Sequence, residues 1–152
     1  MPVGGGEPQL LVSETADTFN AAVSPDGRWL AYISQATGRY EVFAQSLISG
    51  GGRAAISTTG GIEPRWSPDG RTIYYENGDQ LMAVPVEPGA ALQPGRPKAI
   101  FSGVVYVSID SAETYHVASS GDRFVMMQPA DHHGTLQEVR AILNWFSELS
   151  RR

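Results

Sequence analysis

The sequence predicts an all-β protein built from a repeated unit of four short antiparallel strands, about three units in 152 residues. Three observations point there. The string Ser24-Pro25-Asp26-Gly27-Arg28 recurs as Ser67-Pro68-Asp69-Gly70-Arg71, 43 residues further on. Each copy lies between short apolar runs, Ala21-Ala22-Val23 and Trp29-Leu30-Ala31-Tyr32 in the first, Arg65-Trp66 and Thr72-Ile73-Tyr74-Tyr75 in the second. Asn77-Gly78-Asp79, a further tight-turn signal, follows the second copy at hairpin distance. Units of about 40–45 residues with four strands apiece are the mark of a β-propeller blade.

The elements follow in order. After the Gly4-Gly5-Gly6 leader, Gln9 to Val12 reads as a short strand and Ser13 to Thr18 as a polar loop. The first blade, about residues 19–57, takes Phe19 to Val23, the Pro-Asp-Gly turn, Trp29 to Ser34, a turn at Thr37-Gly38-Arg39, Tyr40 to Ser46, and a fourth strand near Ala54 to Ser57. Proline presets the first turn position, aspartate binds its own backbone, and Gly27 and Gly70 supply the positive φ that closes the hairpin. The second blade, about 62–101, has Glu63 to Trp66, Thr72 to Glu76, Gln80 to Val86, a Pro/Gly-rich loop, and Lys98 to Phe101. A third, about 114–146, opens with Thr114 to Ala118; Gly121 survives from the turn motif, while the proline and aspartate do not. Arg123 to Gln128 follows. The last segment carries both helical and strand periodicity. Its place in the unit predicts a strand to about Trp145, then one helical turn over Ser147 to Arg151.

Composition removes several function classes. No apolar run approaches the ~20 residues of a spanning helix, and no basic stretch followed by an apolar core forms a signal peptide, so membrane insertion is not expected. A net charge of −5 with eleven scattered Lys and Arg argues against nucleic acid as a partner. Zero cysteines exclude disulfides and thiolate metal sites.

Val23 to Tyr32 and Glu63 to Tyr75, each centred on its Ser-Pro-Asp-Gly turn, resemble the WD40-like PD40 repeats of TolB-type propellers. Tyr115-His116-Val117, Arg123-Phe124-Val125-Met126-Met127 and Ile142-Leu143-Asn144-Trp145-Phe146 are similar to the last blade of propellers that follow bacterial serine/threonine kinase domains. The resemblance implies a propeller fold, a protein- or ligand-binding role and an extracytoplasmic or periplasmic setting. It leaves open the alternative of a non-catalytic propeller fragment from a prolyl-oligopeptidase-like enzyme.

Three blades do not close a ring, for which about four to eight are needed. The strand at residues 9–12 and the third blade, which lacks an outer strand, are complementary. A homodimer in which each chain's strand 9–12 completes the other's third blade gives six blades and a closed ring; a piece of a larger propeller is the alternative.

No catalytic residues, cofactor or metal are expected. There is no Gly-x-Ser-x-Gly elbow, no Gly-rich phosphate loop and no His-Arg-Asp loop. Asp26 and Asp69 sit in identical turns and read as structural, and Asp131-His132-His133 reads as a solvated loop rather than a metal site. Binding, if present, belongs at the channel mouth, where the first strand of each blade enters. The candidate residues are Asn20, Glu63, Arg65, Tyr115 and His116.

Overall fold

The computed structural model describes residues 10–48, 52–87, 89, 91–103, 114–129 and 137–143. Three antiparallel sheets follow one another along the chain. The first pairs β1 (Thr18–Val23), β2 (Trp29–Ser34), β3 (Glu41–Ser46) and β4 (Arg53–Ala55) in sequence order. The second pairs β5 (Ile62–Trp66), β6 (Thr72–Asn77) and β7 (Gln80–Glu87). β7 is flanked at one end by the two-residue β8 (Gln93–Pro94) and along the other by β9 (Lys98–Ser102). The third has β10 (Tyr115–Val117), β11 (Arg123–Pro129) and β12 (Gln137–Leu143). These are stacked propeller blades.

Hairpin chemistry explains the repeated string. In the first copy the Gly27 amide donates to the Ser24 carbonyl (2.9 Å), the Ser24 hydroxyl to Asp26 Oδ1 (2.6 Å), and the Trp29 amide to Ser24 Oγ (2.9 Å). The second copy repeats all three bonds through Gly70, Ser67, Asp69 and Thr72. Gly27 and Gly70 have φ of 71° and 69°, as the sequence predicts. The third turn keeps its shape without the motif: Gly121 has φ 76° and donates to the Ala118 carbonyl at 2.8 Å. Glycine and backbone closure recur in all three turns, and each also carries a Ser–Asp pair, supplied in the third by Ser120 and Asp122 two positions later.

Strand alternation then distributes the core between neighbouring blades. Trp29, Ala31, Val42 and Ala44 of the first blade meet Trp66, Ile73, Tyr75, Val84 and Val86 of the second. The opposite face of the second blade places Tyr74, Leu81 and Ile100 against Tyr115, Val117, Phe124 and Met126 of the third. Tyr74 and Phe124 meet edge to face, 4.9 Å between centroids. A central blade covered on both sides needs apolar residues at successive positions, which is why Ile73-Tyr74-Tyr75 does not alternate with polar ones.

Two expectations change. Leu10–Val12 belongs to no sheet. Instead it crosses the first blade's outward face, where Val12 packs on Leu30, Tyr32 and Phe43. A short strand forms only when a neighbour offers its backbone, and among the described residues of this one chain none stands beside it. The loop expected between Val86 and Lys98 contains β8. The C-terminal ambiguity is decided for strand over Gln137–Leu143, because β11 offers it a continuous seven-residue register. The helical turn expected at Ser147 to Arg151, and the Asp131-His132-His133 loop, lie outside the described residues.

Candidate functional site

β1 and β5 each begin with a bulge. Register shifts between Phe19 and Ala22, and again between Ile62 and Arg65, a repeat apart. At the centre of each bulge a residue other than glycine adopts positive φ: Asn20 at 54° and Glu63 at 51°. Asparagine tolerates this region, whereas glutamate has no such aptitude and its conformation stores strain of ~1–3 kcal/mol. Such strain is maintained only where surrounding contacts fix it. Pro64, fully buried, follows Glu63 in the bulge, where a missing amide proton costs no ladder bond.

The bulge turns Glu63 across the junction toward the third blade. Its Oε2 accepts from the Thr114 amide (3.0 Å) and lies 2.8 Å from Thr114 Oγ1, while its main-chain carbonyl accepts from the Tyr115 hydroxyl (2.8 Å). Thr114 Oγ1 is also 2.6 Å from Glu76 Oε1, on β6. Glu63, Glu76, Thr114 and Tyr115 are all buried. Burial pushes the Glu76 carboxyl up to about 7, and nearby Glu63 adds to the rise, while Thr114 and Arg65 act the other way. Burial likewise raises the Tyr115 hydroxyl well above its ordinary value.

On the first-blade side Arg65 Nη1 reaches Asn20 Oδ1 at 3.5 Å and the Pro64 carbonyl at 3.1 Å, and its guanidinium carbon lies 6.0 Å from the Tyr115 ring centroid. Four of the five sequence candidates, Asn20, Glu63, Arg65 and Tyr115, are thus joined in one cluster. His116 stands apart. Tyr115 and Val117 face the core, so the alternation of β10 turns His116 outward, and it is exposed. Sequence reasoning missed Glu76 and Thr114. The signal for Glu76 was available: it falls 43 residues after Ile33, at the same strand position, so a carboxyl replaces an apolar residue of the repeat.

The cluster holds two carboxyls, one guanidinium and two hydroxyls, a set suited to hydrogen bonding and charge complementarity. Among the described residues no group of three or more His, Cys, Asp or Glu is placed to hold a metal. A cleft of about 540 Å³ lies at the opposite strand ends between the turns of the second and third blades, lined by Asp69, Thr72, Tyr74, Ser119, Ser120 and Asp122 among others.

No protein-family model matches the chain, and no curated protein matches it in sequence. Solved structures do. A protein assigned as TolB from Agrobacterium tumefaciens aligns with 95% of this chain at TM-score 0.63 and 19% identity. TolB from Acinetobacter baumannii aligns with 93% at TM-score 0.47 and 15% identity. The chain spans 52% and 45% of those two proteins, about half their length. The fold is accordingly that of a TolB-like β-propeller, present here as part of a ring.

Proposed function

We propose that this chain is a non-enzymatic propeller module that recognises a protein or small ligand at the channel mouth, and that two copies pair into a closed six-bladed ring. The observation that carries the pairing is the junction between blades, made twice on one plan. A Cβ on Gly70 would lie 3.6 Å from Pro25 Cδ, and one on Gly121 3.5 Å from Pro68 Cδ, so each turn seats its glycine beside the preceding blade's proline. Trp66 Nε1 donates to the Ala22 carbonyl at 3.0 Å across the first junction, and Glu63 holds Thr114 across the second. At the two ends the same plan is half made. Gly27 has no atom within 4 Å of a Cβ position, and Val125 is exposed on the far face of the third blade. In a ring of two copies the third blade of one would lie beside the first blade of the other, covering the face that carries Val125 and setting Ser119, which stands where the other turns have proline, beside Gly27.

The segment on the first blade supports the same reading. Leu10–Val12 precedes Arg53–Ala55 by the repeat length of 43 residues. It therefore lies over the first blade where a preceding blade's outer strand belongs. Glu14 fastens it, through an ion pair to Arg53 (2.7 Å) and hydrogen bonds from the Tyr32 (3.0 Å) and Ser34 hydroxyls. The half-length alignment favours a second reading in one respect. Blades of a longer chain, including the propeller of a peptidase-like enzyme, would occupy the same two faces.

Multi-angle light scattering on the 152-residue chain tests the pairing, with twice the 16.3 kDa chain mass expected. Deletion of residues 1–12 should return a monomer or an aggregate. A single-chain mass for the intact protein at micromolar concentration would overturn the dimer. For the mouth, peptides selected from a displayed library on the wild-type protein should lose binding to Arg65→Ala. Selections that yield only binders indifferent to that change would place recognition elsewhere.

A further inference from the structure

We propose that Glu63, Thr114 and Glu76 form a proton-binding clasp, in which one proton held on Glu76 locks the third blade to the second and is released as the surroundings become less acidic. Proton inventory carries the argument. The Thr114 hydroxyl has a single hydrogen, yet its oxygen lies within 2.8 Å of Glu63 Oε2 and 2.6 Å of Glu76 Oε1. It donates to one of them. The other short approach, between an oxygen lone pair and a carboxylate oxygen, is repulsive unless that carboxyl carries its own hydrogen. Glu63 already accepts from the Thr114 amide and is the better acceptor. The consistent arrangement has Glu76 protonated and donating to Thr114 Oγ1, and Thr114 donating to Glu63.

The remaining oxygen of Glu76 points the same way. Oε2 is buried without a hydrogen-bond partner, and Glu76 is only 1% exposed. An unpartnered oxygen is tolerable as the carbonyl of a neutral acid and very costly as half of a carboxylate. Among the described residues three strands face Glu76. β5 contributes Glu63 and Arg65, β10 contributes Tyr115, and β7 opposes it with apolar Leu81. Among the described residues one guanidinium faces the two carboxyls, so a second negative charge has no counterion of its own there. The elevated Glu76 value agrees with this geometry.

The repeat supplies an internal control. At the same position the first blade has Ile33, completely buried, so the fold is satisfied by an apolar side chain there. Placing a carboxyl at this position brings a cost that packing does not require. What it adds is a junction whose strength follows the proton. The clasp lies between the two blades that carry Glu63, Arg65 and Tyr115, so its release alters the spacing of the mouth whether or not a ligand binds there.

The test compares the full chain with Glu76→Gln and Glu76→Ile in urea unfolding and amide hydrogen exchange from pH 5 to 8. A group raised in the folded state stabilises below its ordinary value of 4.5, and that stabilisation drains away as pH rises to about 7. Relative to either variant, the wild-type unfolding constant should rise by up to tenfold per pH unit across that interval and level off above it. Exchange at Tyr115–Val117 should accelerate in parallel, beyond the intrinsic effect of pH, in the wild type alone. Glutamine keeps a donor for Thr114 and isoleucine restores the repeat, so at least one variant is expected to fold. The difference from wild type also cancels the titration of the histidines. Parallel profiles for wild type and variants would overturn the clasp. Because no ligand enters the measurement, a failed ligand search leaves this result unaffected.

Discussion

Replacing Gly70 with alanine isolates one physical cost, because the two usual consequences of such a change separate at this site. Space is not limiting: the added Cβ meets Pro25 Cδ at 3.6 Å, ordinary contact distance. Conformation is limiting, since Gly70 sits at φ 69°, where an L side chain costs ~1–2 kcal/mol. Alanine also stiffens the unfolded chain, which returns ~0.4–1 kcal/mol. The net loss is about 1 kcal/mol, equivalent to roughly 2–4 °C in Tm for a chain of this size. Urea unfolding followed by tryptophan fluorescence measures it. Gly70→Asn serves as the control, because asparagine enters the left-handed region more readily and should recover part of the loss. Gly27→Ala, with an open Cβ position at φ 71°, should cost about the same in the monomer. An alanine variant as stable as wild type, or an asparagine variant worse than alanine, would refute strain as the cause.

Two further outcomes follow from single bonds. Trp66→Phe keeps most of the apolar contact but removes the 3.0 Å bond from Nε1 to the Ala22 carbonyl, so it should lower stability by about 1 kcal/mol in the same urea assay. Equal midpoints would mean that this bond adds nothing to the first junction, which then rests on packing and on bonds such as Gly61 to the Tyr40 carbonyl. The Ser67 hydroxyl and the Arg71 amide, opposed by partial burial, hold the Asp69 carboxyl below its ordinary 3.8. A depressed carboxyl stabilises above its unfolded value and loses that contribution as pH falls through the folded one. Urea midpoints between pH 3 and 6 should therefore fall more steeply at the acid end for wild type than for Asp69→Asn, and superimposable curves would exclude the turn as a source of acid sensitivity.

Local order in this protein was written into adjacent residues, and there the sequence sufficed. Pro-Asp-Gly fixes a turn through φ preferences and one side-chain bond, and both are properties of four consecutive residues. The repeat length gave the blade, and apolar runs gave the strands, because a pleated strand shows its burial pattern directly. Asn20, Glu63, Arg65 and Tyr115, named from their position in the unit, meet in one cluster because equivalent strand positions of neighbouring blades lie side by side. Tertiary packing decided the rest. Leu10–Val12 has strand-like residues but no backbone neighbour among the described residues, so within one chain it covers Tyr32 and Phe43. The segment at Gln137–Leu143 satisfied two periodicities at once, and the free edge of β11 chose between them. His116 and Tyr115 are adjacent and equally polar at the tip, yet strand alternation sends one to solvent and the other beneath Glu63. Most of all, Glu63, Glu76 and Thr114 are separated by long stretches of chain, and nothing in any one of them announces a shared proton. That property exists only where two blades bring three side chains within hydrogen-bonding distance and exclude water from the space between them.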